Sequence, residues 1–233
     1  MVLLHGGGAT STVWFANVET LSRTHRLYAV DQIGDAGRSV HNGQPIKSRD
    51  DFMEWLDGVL DALALGSVDL CGHSYGAWLA LNFALHAPKR VGKLVLLDPS
   101  ECFTGMKLKF RLHALPLFAR PSEQRSRDFL AWETGGRELD SAWLTLWALG
   151  RGTAYTSKVL PHRPTTSELQ AATVPTLVLV AEDCRLHDIG QLTANAKSLM
   201  PNVVTATLPD TSHFTIPTRH PQRLNQKMAQ FLA

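Results

Sequence analysis

The stretch VDLCGHSYGAWLALNFAL, residues 68–85, restricts the fold more than any other part of the chain. An apolar run that reads as a strand stops at Gly72, Ser74 follows two residues later, and Gly76 two residues after that. The pattern then changes to one that reads as a helix, ended near Pro88, which cannot continue it. A strand-to-helix corner of this kind holds a serine hydroxyl proud of its scaffold. It strains the backbone at the serine and brings the flanking backbone so close that a Cβ at either glycine would clash. The helix that starts at Tyr75 would aim its free N–H groups at the same place, where they can stabilise a developing oxyanion. Ser74 is therefore a candidate nucleophile. The plain alternative is a glycine-rich turn carrying an ordinary serine.

The same alternation of strand and helix runs through the chain. VLLH (2–5), RLYAVD (26–31), KLVLLD (93–98), TLVLVA (176–181) and VVTATL (203–208) read as further strands. Phe52, Leu56, Val59, Leu60 and Leu63 fall at helical spacing within 50–65, and a last helix is expected over 221–232. Continuous apolar strand runs belong to strands covered on both faces. The fold class is therefore α/β, with a mostly parallel, doubly wound sheet. Residues 101–168 break the alternation: they show no strand run and carry Trp132, Trp143 and Trp147 among scattered basic residues. The expected organisation is a core made of 1–100 and 169–233, with 101–168 inserted as a helical lid.

Composition removes several partner classes. The 233 residues are 44% hydrophobic, enough for a sizeable core, and the formal net charge is only +2 with both signs mixed along the chain. That balance gives no reason to expect nucleic acid or an anionic membrane as partner. Cys71, Cys102 and Cys184 are far apart and odd in number, so neither a disulfide framework nor a metal spacing is expected, and a reducing, cytoplasmic setting is the simpler reading. No apolar run reaches membrane-spanning length, and MVLLHGGG is too short and lacks the basic leader of a signal peptide.

Six segments, HGGG (5–8), DQIGDAGRS (31–39), GHSYG (72–76), LVLLDP (94–99), PTLVLVAED (175–183) and DTSHF (210–214), together resemble the α/β-hydrolase superfamily across nearly the whole chain. The likeness is to esterase-like members with a helical lid. That resemblance implies a Ser, acid, His order along the chain. It makes His213, in LPDTSHFTIP, the candidate base, and the N–H groups of Gly7 and Tyr75 the candidate oxyanion donors. His5 and His73 would brace loops, with the His73 side chain pointing away from the reacting face. The acid is the irregular part. In the family it follows the strand equivalent to TLVLVA, in a G-x-x-D turn, but AEDC here puts Cys184 where the carboxylate is usual. Asp183 is the first choice for the acid, with Asp188 as an alternative, Asp98 as another because some relatives draw it from the end of the preceding strand, and no acid at all as the last. Cys184 reads as a small buried residue rather than a second nucleophile.

Trp14, Phe15, Trp132, Trp143 and Trp147 are the candidate walls of an apolar substrate pocket beside Tyr75; the lid tryptophans have the alternative task of holding the lid to the core. Lys107, Lys109, Arg111, Arg125 and Arg127 read as a solvated helix face in preference to a site for an acidic substrate. The resemblance also implies an antiparallel strand pair ahead of the first strand, which here begins at residue 2. The missing pair leaves an open edge, and an edge-mediated homodimer or reduced stability is the expected consequence. The functional expectation is a serine hydrolase acting on a small carboxylic ester, a lactone or thioester being close variants, with no metal or organic cofactor. An enzyme of another class on the same scaffold (lyase, cyclase or cofactor-free oxygenase) and a non-catalytic ligand-binding protein are the alternatives, because fold alone does not fix chemistry.

Overall fold

The computed structural model describes residues 1–40, 43–120, 122–151 and 159–233. Six strands form one parallel sheet: β1 (Val2–Leu4), β2 (Tyr28–Val30), β3 (Val68–His73), β4 (Val91–Leu97), β5 (Thr176–Ala181) and β6 (Val203–Leu208). Their spatial order is β2-β1-β3-β4-β5-β6, and every neighbouring pair is parallel. Consecutive parallel strands need crossover connections, and helices supply them. In chain order these are α1 (Val18–Leu21), α2 (Arg49–Ala62), α3 (Tyr75–His86), α4 (Leu108–Ala119), α5 (Glu123–Thr134), α6 (Ser141–Arg151), α7 (Thr166–Gln170), α8 (Ile189–Leu199) and α9 (Pro221–Leu232).

Strand side chains alternate between the two faces, and the core divides accordingly. Val2, Leu4, Leu70, Leu94, Leu96 and Val178 join α2, α3 and α8 in one apolar layer. Leu3, Cys71, Val95, Leu97, Leu177 and Leu179 join α9 and the buried faces of α4, α5 and α6 in the other. Burial on both faces is why LVLL of β4 and LVLVA of β5 read as unbroken apolar runs. Helix α2 starts with a capping box, Ser48 accepting from Asp51 N–H while the Asp51 carboxylate accepts from Ser48 N–H.

The segment between β4 and β5 is helical among its described residues, as the absence of a strand pattern indicates; residues 121 and 152–158 of the expected insertion lie outside the described residues. Its return leg is tied to α3, where Tyr75 Oη donates to Val159 O (2.9 Å) and Trp78 Nε1 donates to His162 O (2.8 Å). β1 lies inside the sheet, so the open edges belong to β6 and to the three-residue β2. Among the described residues no helix is long and apolar enough to cross a membrane.

Candidate active site

β3, β4 and β5 are adjacent and parallel, so the loops leaving their C-terminal ends converge. Ser74 leaves β3 with φ 55° and ψ −116°, a left-handed conformation that a residue with a Cβ adopts only when its surroundings hold it there. Its N–H donates to Leu97 O (2.9 Å), and its carbonyl accepts from Ala77 and Trp78 (both 3.1 Å), which locks the corner between sheet and helix. The flanking glycines are needed for space. A Cβ on Gly72 would run into the backbone of Gly76, and a Cβ on Gly76 would run into the carbonyls of Leu4 and His5.

Three side chains meet beyond this corner. His213 Nε2 lies 2.8 Å from Ser74 Oγ, and His213 Nδ1 lies 2.5 Å from Asp98 Oδ2. Asp98 follows β4 directly and has φ 43°, a second left-handed residue that turns its carboxylate toward the histidine. It is fully buried and accepts four hydrogens: from His213, from His187 Nε2 (3.1 Å), from Ala181 N–H (3.2 Å) and from Cys184 Sγ (3.0 Å). Burial alone would raise its pKa, but the two histidines outweigh that and hold the carboxyl well below the usual range. Ionised Asp98 accepts from Nδ1–H, which leaves Nε2 of His213 as the acceptor facing the serine hydroxyl.

Sequence order points to Asp183 as the partner of His213, and the structure does not bring the two together. Asp183 has 45% of its side chain exposed and is ion-paired to Arg137. Asp188 is the N-cap of α8, its carboxylate accepting from Gln191 N–H (2.8 Å). The carboxylate at His213 is Asp98, placed there because β4 and β5 are neighbours in the sheet. Cys184 is buried beside it, with burial and then the Asp98 charge pushing its thiol pKa well up, so the sulfur is a neutral S–H donor. Asp98, Cys184 and His213 offer donor atoms within 4.8 Å of one another, the spacing of a metal group, but here those atoms are taken up in hydrogen bonds to each other.

The two bracing histidines each tie one loop to another, and the His73 ring lies 5.1 Å from that of His213. His5 Nε2 accepts from Gln32 N–H (2.9 Å), joining the loops after β1 and β2. His73 Nε2 donates to His213 O (2.8 Å); burial, then the neighbouring His213, lowers its pKa to about 3, so the ring is neutral. In the loop after β1, the Gly7 N–H has no protein acceptor among the described residues, and Tyr75, as first residue of α3, has none within the helix. A Cβ on Gly7 would come only to 3.8 Å from Tyr75 Cβ, whereas one on Gly6 would press on His73 and Ser74. Gly6, not singled out by sequence, is thus needed for space at this point, and Gly8 for its φ of 76°.

The aromatic residues divide. Trp14 is fully buried in the core layer and offers no surface to a ligand, while Phe15 is about half exposed. Trp132 stacks on His113 with centroids 3.9 Å apart, under the Arg185 guanidinium. Trp143 and Trp147 are buried and stacked on each other, and Trp147 meets Phe214 edge-on at 5.3 Å. The phenyl rings that face His213, besides the imidazoles of His73 and His187, are Phe110 (6.3 Å) and Phe214 (5.1 Å), neither expected from sequence.

Sequence reasoning also misses Glu133 of α5. Its carboxylate is buried and accepts from His213 N–H (3.0 Å), Ser212 Oγ (2.8 Å) and Phe214 N–H (3.4 Å). The available signal is spacing: Ser126, Phe129, Leu130 and Glu133 share the buried stripe of α5, so the glutamate falls where an apolar residue is expected.

Comparison with known proteins places the whole chain. The model of the "Alpha/beta hydrolase family" matches residues 1–227. Carboxylesterase YbfK of Bacillus subtilis (strain 168) is 29% identical over 242 aligned residues, covering 100% of this chain and 79% of the relative. The crystal structure of carboxylesterase CesB (YbfK) from Bacillus subtilis superposes with a TM-score of 0.91 at 28% identity, over 100% of this chain and 82% of that one. The naproxen esterase structure from the same species gives 0.90 at 28% identity, with the same two coverages of 100% and 82%. On a whole-length family match, whole-length relatives and a shared fold, the chain belongs to the alpha/beta hydrolase family and is a hydrolase enzyme.

Proposed function

We propose that this enzyme is a serine esterase, cleaving a carboxylic ester through an acyl-enzyme formed on Ser74. The observation that carries the reading is the unbroken hydrogen-bond path from Ser74 Oγ through His213 to Asp98, with contacts of 2.8 and 2.5 Å. Ser74 Oγ attacks the ester carbonyl while His213 Nε2 takes its proton. Asp98, filling the role that chain order assigns to Asp183, stabilises the imidazolium and keeps the ring in the tautomer that can accept. Negative charge developing on the carbonyl oxygen falls to the N–H groups of Gly7 and Tyr75. His213 then hands its proton to the departing alcohol, and a water molecule, deprotonated by the same nitrogen, releases the acid.

The helical segment between β4 and β5 acts as the lid. Phe110 from α4 and Phe214 beside the base support an apolar acyl or aromatic group as the part of the ester held there, with Trp147 behind Phe214. The carboxylesterase relatives support the same class of substrate. The test is a fluorophosphonate probe read by intact mass, with p-nitrophenyl ester hydrolysis measured in parallel, on wild type and Ser74→Ala. Wild type should gain one adduct and hydrolyse the ester; the variant should do neither. Labelling or turnover that persists in Ser74→Ala removes Ser74 as nucleophile.

A further inference from the structure

The buried carboxylate of Glu133 has no place in the chemistry just described, yet it reaches the base. A buried carboxylate is costly unless hydrogen bonds compensate it, and here three do: Oε1 accepts from the backbone N–H of His213 itself, and Oε2 accepts from Ser212 Oγ and Phe214 N–H. Three consecutive residues of the base loop thus hang on one side chain from a different part of the chain. The turn that follows the same helix grips the start of that loop as well, since Arg137 Nε donates to Asp210 Oδ1 at 3.2 Å. On its other side the loop rests on His73, which holds the His213 carbonyl.

We propose that Glu133 is a positioning residue for His213, so that seating of α5 on the core sets the base in line with Ser74. The inference rests on the esterase reading, in which His213 is the base. The geometry supports it directly: the imidazole is fixed at its ring by Asp98 and Ser74, and the Cα that carries it is fixed by Glu133 through the adjoining N–H. Burial pushes the Glu133 carboxyl above its ordinary value, while His213, Ser212 and the Phe214 N–H pull it back.

Glu133→Gln replaces one acceptor oxygen with a donor. Either the His213 N–H or the pair from Ser212 and Phe214 then faces an NH₂ group, and the loop must shift. A displacement of about 1 Å at a reacting group costs about 10²-fold in turnover. The experiment measures kcat and KM for a p-nitrophenyl ester, and the rate of fluorophosphonate labelling, for wild type, Ser74→Ala, Glu133→Gln and the milder Ser212→Ala. In Glu133→Gln, kcat and the labelling rate should fall together by about tenfold to a hundredfold, with KM within about threefold of wild type. Ser212→Ala, which removes one of the three bonds, should show the same signature at about threefold and carries the test should Glu133→Gln not fold. A wild-type kcat in either folded variant, or a loss confined to KM, overturns the positioning role. Persistent turnover in Ser74→Ala would instead overturn the esterase reading, whatever Glu133 does.

Discussion

Replacing Asp98 with asparagine isolates the part of the site that chain order and geometry assign differently. The carboxylate receives four hydrogens, which matches the number of lone-pair positions it has. Asparagine keeps one acceptor oxygen and adds a donor. The Ala181 N–H is fixed in the backbone and cannot reverse, so the amide oxygen should settle at the Oδ1 position, where it also serves His187. The NH₂ group then faces His213 Nδ1. That nitrogen must accept, Nε2 must carry the hydrogen, and the ring can no longer take a proton from Ser74. The loss in kcat is then about 10⁴-fold, equivalent to about 5.5 kcal/mol of transition-state stabilisation. The opposite amide orientation preserves the tautomer but sets NH₂ against the Ala181 N–H at a fully buried position, at a cost of about 1–3 kcal/mol in stability. Initial rates on a p-nitrophenyl ester and thermal melting, measured together, distinguish these cases. Asp183→Asn is the control and should stay within about threefold of wild type, because its salt bridge is half exposed. An Asp98→Asn enzyme within about tenfold of wild-type kcat, with an unchanged melting temperature, would refute the reasoning.

Two further outcomes are expected. Cys184 Sγ sits 3.0 Å from Asp98 Oδ2 and within 4.8 Å of a ring nitrogen of His213, and a carboxylate oxygen at residue 184 would stand about 0.6 Å farther from its Cβ than the sulfur does. Cys184→Asp placed in the Asp98→Asn background should therefore regain about tenfold or more of the lost kcat, and a double variant no better than the single one would count against this. Asp210 accepts from Arg219 and His220 as well as Arg137; these bonds, Arg219 first, lower its pKa from 3.8 to about 2. A depressed folded-state value contributes stability that is whole above the unfolded pKa and lost as pH falls through the folded one. Between about pH 4 and about pH 2 the wild-type melting temperature should drop more than that of Asp210→Asn; parallel curves would contradict the linkage.

Much of the architecture was legible because the central strands are covered on both sides. β4 and β5 announce themselves by the apolar runs LVLL and LVLVA, and the glycines around Ser74 mark a corner where close backbone approach excludes any larger residue. Short pieces were not legible: α1 has only four residues, too few for a period to show. Helix α8 has Ile189, Leu192, Ala196 and Leu199 at helical spacing, behind Asp188 as its cap, yet lies outside the expected helices. The partner of His213 was misassigned for a different reason. Position along the chain favoured Asp183, but which carboxylate arrives depends on strand adjacency and on the left-handed turn at Asp98, neither of which composition records. Phe110, His187 and Glu133 come from segments remote in sequence from the base, and only the fold brings them to it.

The side-by-side arrangement of β4 and β5 has an evolutionary corollary. Neighbouring strand tips stand about 4.8 Å apart, roughly the reach of one side chain. An anion needed at a fixed point can thus be supplied from either tip, and ownership can pass from one strand to the next while no strand moves. Column-by-column matching of homologous chains would score Cys184 as a lesion in the machinery, although the negative charge is still delivered to the same imidazole by the adjoining strand.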